Sequence, residues 1–326
     1  MRVFVTGGTG LLGNTILRQL TDAGHESSAL VRQPPEAAVF DGVETEFVRG
    51  DLLDQDLIET AVQDCDAVIH AAGLIHIGWQ RLDESMRVNA EGTQVMVDAC
   101  LRNHKKLIHI GTVNTMAVGS FERPADETTA LTNGGGQVLC SYVLSKRAGV
   151  EEVKRGVAQG LKAVILCPGF MLGPWDWKPS SGRMMIALSQ GWKAIAPKGG
   201  CSVCDVRDVA AATITSVEKD LPSGREFILA GENMTYKELW TEMAQRFSKP
   251  APLMRAGPLQ RWIAGVAGDA IARFTAEPDF NSAGMKMSTQ FHWYDSTRAR
   301  EELGYRPRPI DQSLDEAAQW LKDHHL

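Results

Sequence analysis

Residues 1–13, MRVFVTGGTGLLG, decide the fold. Val3, Phe4 and Val5 make a short apolar run that reads as a buried strand. The run leads into Gly7, Gly10 and Gly13, spaced Gly-x-x-Gly-x-x-Gly. Past Gly10 the pattern turns helical, with Leu12, Ile16, Leu17 and Leu20 on one face. A glycine turn thus joins a first strand to a first helix, which ends near Gly24. Free backbone N–H groups at that helix N-terminus suit the pyrophosphate of a dinucleotide. A side chain at the turn would hold the backbone away from the phosphate.

Bulk properties narrow the class. The chain has 326 residues, enough for one large α/β domain or two lobes. Its formal net charge of -6 argues against a nucleic-acid partner, which would favour a basic face. No run approaches the roughly 20 apolar residues of a membrane-spanning helix. The first residues read as a strand rather than a leader, so a cytoplasmic location is expected. Six scattered cysteines suit a reducing compartment better than a disulfide framework. Cys201 and Cys204 have the spacing of a redox or zinc pair, but no second pair accompanies them. A structural role is the favoured reading, with no metal expected.

Further along, Ser28, Ala29, Leu30 and Val31 form a second strand ending at Arg32, followed by Gln33, Pro34 and Pro35. An acid at this strand end would bind the ribose 2′-hydroxyl of NAD, whereas an arginine accommodates a 2′-phosphate. Arg32 therefore favours NADP(H) over NAD(H). Residues 43–48 alternate as a third strand. Asp51 then has two readings, acceptor from an adenine amino group or cap of a helix over 54–63. Residues 67–70 form a fourth strand with a small-residue exit at Ala71, Ala72 and Gly73, which lets a cofactor lie flat on the sheet edge; His70 reads as a packing residue. Residues 81–103 read as one long helix and 106–110 as a fifth strand, ending at Gly111 and Thr112. A loop holding Gly134, Gly135 and Gly136 precedes a helix that opens at Tyr142. Residues 162–166 form a sixth strand, leading to Cys167, Pro168, Gly169, Phe170 and Met171.

Six strands alternating with helices predict an α/β fold, a Rossmann-type doubly wound parallel sheet with a smaller, mixed C-terminal substrate lobe. Residues 1–173 would form the cofactor-binding domain, with 202–230 returning to it; 174–201 and 231–326 would form the lobe. Val203 to Val206 is expected to rejoin the sheet as a strand. Within residues 259–274, Leu259, Trp262, Ile263, Val266, Ala267, Ala270, Ile271 and Phe274 form one helical stripe. The favoured reading packs this stripe onto the lobe; the other is a mobile lid or an interfacial surface.

Tyr142 and Lys146 stand four residues apart and share a helix face. A free tyrosine titrates near pH 10, too high for efficient proton transfer near neutrality. A cationic lysine beside it favours the phenolate and can hold a nicotinamide ribose. Thr112 offers a hydroxyl to orient a substrate oxygen. Together the three would move a proton while a nicotinamide moves a hydride.

The ordered set of residues 6–13, Gly50-Asp51-Leu52, His70-Ala71-Ala72-Gly73, Asn89-Ala90-Glu91-Gly92-Thr93, Tyr142 with Lys146, and Cys167-Pro168-Gly169 resembles the extended short-chain dehydrogenase/reductases. Gly173-Pro174-Trp175-Asp176 resembles that family's Gly-Pro-Gly-Asp turn. Arg207-Asp208-Val209-Ala210 and Glu302-Leu303-Gly304-Tyr305-Arg306-Pro307 resemble its later signatures. The match spans nearly the whole chain, and is nearest the dihydroflavonol-4-reductase-like and 3β-hydroxysteroid-dehydrogenase-like branch of this epimerase/dehydratase superfamily.

The resemblance implies that Gly7, Thr9, Gly10, Leu11, Leu12 and Gly13 line the pyrophosphate. Arg32 would meet the 2′-phosphate, and Asp51 and Leu52 the adenine. Ala71, Ala72, Gly73 and Asn89 would border the cofactor's path, and Pro168, Gly169, Phe170 and Met171 its nicotinamide amide. Thr112, Tyr142 and Lys146 would be catalytic; His76, Asn114, Trp175 and Trp177 are substrate candidates. Two departures stand out. Gly111-Thr112 replaces a pair of serines, which leaves Asn114 or Thr115 as rivals to Thr112. Trp175 replaces the glycine of the Gly-Pro-Gly-Asp turn.

The expected activity is NADP(H)-dependent reduction of a ketone or aldehyde, or oxidation of the alcohol, in a small and largely apolar substrate. Trp175, Trp177, Met184, Met185 and Trp262 supply the apolar material. The alternative is a nucleotide-sugar epimerase or dehydratase with tightly bound NAD(P); a third reading is a non-catalytic NADPH-binding protein. Long helices on one sheet face leave room for a homodimer.

Overall fold

A computed structural model describes residues 1–34, 36–131, 136–278 and 280–326. Pro35 and the expected loop glycines Gly134 and Gly135 lie outside the described residues.

In β1 (Arg2–Thr6), alternate side chains enter different apolar layers. Val3 and Val5 join one buried cluster and Phe4 another, the two-residue period of a strand buried on both faces. The chain then runs through α1 (Leu11–Asp22), β2 (Glu26–Val31), β3 (Glu46–Arg49), α2 (Gln55–Gln63), β4 (Ala67–His70), α3 (Leu82–Met86), α4 (Gly92–Arg102), β5 (Lys106–Ile110), α5 (Ser141–Ala158) and β6 (Ala163–Pro168). It continues with β7 (Phe170–Leu172), α6 (Gly182–Ser189), β8 (Ile195–Ala196), β9 (Gly200–Asp205), α7 (Val206–Glu218), β10 (Arg225–Leu229), β11 (Glu232–Thr235) and α8 (Tyr236–Gln245). β12 (Met254–Arg255), α9 (Pro258–Ile271), α10 (Ser282–Met287), β13 (Phe291–His292), α11 (Thr297–Glu302) and α12 (Ile310–His324) complete it.

Seven strands form one sheet in the order β10-β6-β5-β4-β1-β2-β3, every pair parallel. α1 and α7 supply side chains to the cluster on one face; α2, α4 and α5 supply the other. This is the doubly wound architecture expected from the sequence. The strand order reverses between β1 and β4, so a crevice opens at their carboxyl ends. A smaller sheet is centred on β9. β11 pairs with it antiparallel, and β7 and β13 pair parallel with successive stretches of it. α6, α8 and α12 close a third apolar cluster with this sheet.

Three local expectations are corrected. The strand expected over 203–206 is β9, which does not join the large sheet: β10 occupies the edge beside β6, leaving β9 to pair with β7, β11 and β13. The third strand starts at Glu46, not Val43, because the side chains of Thr21 and Ser27 take up the backbone N–H and C=O of Glu44. The helix over 81–103 excludes Arg81, which has φ 56°, and contains a π-helical turn at Arg87–Glu91.

Candidate active site

The glycine turn is built by close approach of backbone to backbone. Gly7 has φ 78°, and a Cβ there would lie 2.7 Å from Ala71 C and Ala72 N. On Gly13 a Cβ would lie 2.2 Å from Gly7 O, so the first turn of α1 rests directly on the loop. Gly10 differs: its nearest neighbour would be Gly7 O at 3.4 Å. Gly10 is the N-cap of α1, with no side-chain cap and no acidic residue in the first turn. Those N–H donors have no intrahelical partner. Open space at Gly10 and uncapped donors fit a phosphate, so the turn suits a dinucleotide.

Next to it, His70 braces the crevice. Ala72 N donates to Thr6 Oγ1, Thr6 Oγ1 meets His70 Nδ1 at 2.8 Å, His70 Nε2 meets Thr93 Oγ1 at 3.1 Å, and Thr93 Oγ1 donates to Asn89 O. The chain is satisfied in one direction by a neutral imidazole protonated at Nε2. Burial, reinforced by Lys146, pushes the His70 pKa down to about 3, consistent with a packing role.

Thr112, Tyr142 and Lys146 border one cleft of about 530 Å3 with Gly7, Gly10, Leu11, Leu12 and Gly13. Ala71, Gly73, Asn114, Pro168, Gly169, Phe170 and Met171 border it too. Thr112 is brought there by β5 and caps the 3-10 turn Val113–Thr115, accepting from Asn114 N at 3.3 Å. Thr115 is turned away, its hydroxyl donating to Thr112 O at 2.7 Å. Tyr142 and Lys146 are both buried on α5. Lys146 Nζ donates to Ile110 O at 2.7 Å.

The electrostatics differ from the sequence expectation. Burial raises the Tyr142 pKa above its ordinary value, and a hydrogen bond from Thr112 works against that rise. Burial lowers Lys146 to about 8. The hydroxyl of Thr112 favours the phenolate, while Lys146 gives one of its three N–H donors to Ile110 O.

Other expected residues stand elsewhere. Thr9 lies in the glycine turn without bordering the cleft, and Ala72 is held through its N–H by Thr6. Arg32 is exposed at the end of β2 and makes no hydrogen bond or ion pair among the described residues. Asp51 is exposed and accepts from Leu53 N; the cap of α2 is Asp54. Leu52 is buried in the core, its side chain against Gly92. Asn89 spends both ends of its amide on Leu74 and Ser145, bracing the loop after β4.

Three substrate candidates fall outside the cleft lining. His76 Nε2 meets the buried Glu277 carboxylate at 2.9 Å. Trp177 packs edge-on against Trp320, with ring centroids 4.8 Å apart. Trp175 sits under the Arg18 guanidinium at 4.9 Å and takes φ 68°. That backbone conformation suits the glycine it replaces and strains a tryptophan. Of the apolar material expected, Met185 is core, Trp262 is exposed, and Met184 does border the cleft. Sequence reasoning missed Ile75, Ile77, Tyr236 and Met287 there, and the cations Lys178 and Arg183. All six cysteines are free and buried; Cys201 borders the cleft while Cys204 lies in the sheet core, so the two thiols enter different layers.

A parallel sheet with a glycine turn at its reversal point, and a Tyr/Lys pair facing that turn, define a nucleotide-dependent oxidoreductase of the short-chain type. The sequence profile of the NAD dependent epimerase/dehydratase family matches residues 3–230, and the chain belongs to that family. A Synechocystis protein provisionally named dihydroflavonol 4-reductase is 29% identical over 332 residues, covering 98% of this chain and 94% of its own. Sterol demethylase protein B of Methylococcus capsulatus is 25% identical over 331 residues, covering 100% of both chains. The crystal structure of gox2253 superposes with a TM-score of 0.85 at 28% identity, covering 99% of this chain and 98% of its own. The chain is an NAD(P)-dependent oxidoreductase of this family, acting as a reductase or dehydrogenase on a small molecule.

Proposed function

We propose that the protein reduces a ketone or aldehyde of a small, largely apolar molecule with NADP(H), or oxidises the corresponding alcohol. The observation that carries this is the meeting of Thr112, Tyr142 and Lys146 with the glycine turn in one cleft, whose remaining wall includes Ile75, Ile77, Met184, Tyr236 and Met287. Gly7, Gly10, Leu11, Leu12 and Gly13 would hold the pyrophosphate, and Arg32 the 2′-phosphate. When bound, the nicotinamide supplies or accepts the hydride. Tyr142 gives its phenolic proton to the carbonyl oxygen as the alcohol forms, and takes it back in the reverse direction. Thr112 steadies the resulting phenolate and the substrate oxygen by hydrogen bonding. Lys146 holds positive charge beside them at neutral pH, since its pKa of about 8 keeps it mostly protonated. The apolar wall excludes water from the reacting atoms. Residues 1–173 with 202–230 would carry the cofactor, and the rest the substrate.

Support also comes from the sterol demethylase protein B relative, whose name points to an apolar substrate of its own. The test is turnover of apolar ketones by purified protein with NADPH and with NADH. Carbonyl reduction preferring NADPH is expected. Failure on a broad carbonyl panel, together with a rise in melting temperature on adding a nucleoside diphosphate, would favour the nucleotide-sugar reading instead.

A further inference from the structure

α9 has its apolar side facing outward. Leu259, Trp262, Ile263 and Val266, with Phe274 just past its end, are 65%, 64%, 53%, 49% and 89% exposed. The opposite face is made of small residues, of which Gly265, Gly268 and Ala272 are buried. That face lies against the backbone of residues 280–282. A Cβ on Gly268 would stand 2.5 Å from Phe280 O, and Asp269 Oδ1 accepts from Ser282 N at 2.9 Å. The helix is therefore fixed with its stripe outward; rolling the stripe inward would drive Trp262 or Val266 into backbone. The surface extends along the preceding segment, where Leu253 and Met254 are 65% and 52% exposed and β12 pairs with β8. Large apolar side chains exposed along one side of a helix mark an interaction site.

Charge selects the partner. In a chain of net charge -6, residues 249–275 hold Lys249, Arg255, Arg261 and Arg273 against one acid, Asp269, already engaged by Ser282. Arg255 and Arg273 are exposed and make no ion pair among the described residues. An apolar stripe with unpaired arginines at both ends matches the boundary layer of a bilayer with anionic headgroups. A second copy on this face, related by a twofold axis, would bring like-charged flanks together. At 14 residues α9 is about 21 Å long, too short to span a bilayer but suited to lie along its surface. Among the described residues no helix is long and apolar enough to cross a membrane.

The helix is linked to the cleft wall through Ser282, whose N–H donates to Asp269. Trp79 Nε1 donates to Ser282 Oγ at 2.8 Å, tying the loop that carries Ile77 to α10, which carries Met287.

We propose that α9 and β12 form an interfacial docking surface that seats the protein on bilayers bearing anionic headgroups. This goes beyond the proposed reaction and does not depend on it. The test is co-sedimentation of the full chain with vesicles of phosphatidylcholine alone and of phosphatidylcholine mixed with phosphatidylglycerol, which needs no turnover. Expected is pelleting with the anionic vesicles, weakened by salt. The paired substitution Trp262→Glu and Phe274→Glu should weaken binding at least about tenfold without lowering the melting temperature, since both side chains are exposed. Arg255→Glu with Arg273→Glu should weaken binding to anionic vesicles by about tenfold or more and leave phosphatidylcholine binding unchanged. Absence of pelleting with either vesicle would overturn the proposal. So would pelleting indifferent to these substitutions, or a dimer in vesicle-free buffer that Trp262→Glu converts to monomer.

Discussion

Lys146 Nζ donates to the carbonyl oxygen of Ile110 at 2.7 Å, tying α5 to the last residue of β5. Thr112 follows Ile110 by two residues, and Tyr142 lies one helical turn before Lys146. This hydrogen bond thus ties together the two segments that carry all three candidate catalytic side chains. It also draws a cation into a buried position, which lowers its pKa to about 8.

That burial predicts a trade of stability for activity. The folded-state pKa of Lys146 lies below its unfolded value, so the charged lysine destabilises the fold below pH 8. The penalty fades as pH rises from about 8 to 10.5, where the unfolded chain also loses the proton. Lys146→Met should therefore raise unfolding free energy at pH 7 by about 1–3 kcal/mol, part of the gain being offset by the lost Ile110 bond. The advantage should close by about pH 10.5. Urea unfolding across this range, with turnover measured in parallel, checks both halves; turnover should be lost.

The glycines of the turn should separate folding from binding. Gly13→Ala puts a Cβ 2.2 Å from Gly7 O and should destabilise the protein by about 3 kcal/mol or more. Gly10→Ala meets its nearest atom at 3.4 Å and should keep a near wild-type melting temperature. Its cofactor affinity should nevertheless drop at least about tenfold, because the methyl group occupies the approach to the N–H donors. Calorimetric unfolding and NADPH titration of both variants distinguish the two effects.

Arg32 governs cofactor choice in this reading. Arg32→Glu should lower the NADPH-to-NADH ratio of kcat/KM by about 10- to 100-fold, the worth of a charge-assisted hydrogen bond to a phosphate. An unchanged ratio would remove Arg32 from the site.

Glu277 holds the wall of the cleft. Its buried carboxylate accepts from His76 Nε2 at 2.9 Å and from the backbone N–H of Trp79 and Gln80, each at 3.0 Å. Glu277→Ala removes these three hydrogen bonds and should cost about 1–2 kcal/mol of stability. KM should rise more than kcat falls, because the loosened loop carries Ile77 rather than a reacting group. Denaturation and steady-state kinetics with an apolar ketone check this.

The cofactor side of the cleft was legible because its signals are local. A strand, a glycine turn and a helix are contiguous in residues 1–22, and Tyr142 and Lys146 share one turn of α5. The substrate side was not, because its wall is assembled from distant segments. Met184, Tyr236 and Met287 come from α6, α8 and α10, each an ordinary short helix in sequence. Trp177 looked like a pocket residue, but it packs half-buried against Trp320 of α12, far along the chain. Leu52 and Asn89 belong to motifs of the family, yet one is core and the other is spent on Leu74 and Ser145. Periodicity located the stripe on α9 correctly and its direction wrongly. Helical spacing gives the axis of amphipathicity; here Gly265 and Gly268 allow so close a backbone contact that the small face is inside.

The proton-transfer role of Tyr142 is tested most directly by Tyr142→Phe, measured for NADPH affinity and for carbonyl reduction on the same preparation. The expected result is turnover reduced by at least about a hundredfold with NADPH affinity nearly unchanged. Retained turnover, or a loss of NADPH binding large enough to account for the lost activity, would contradict the assignment.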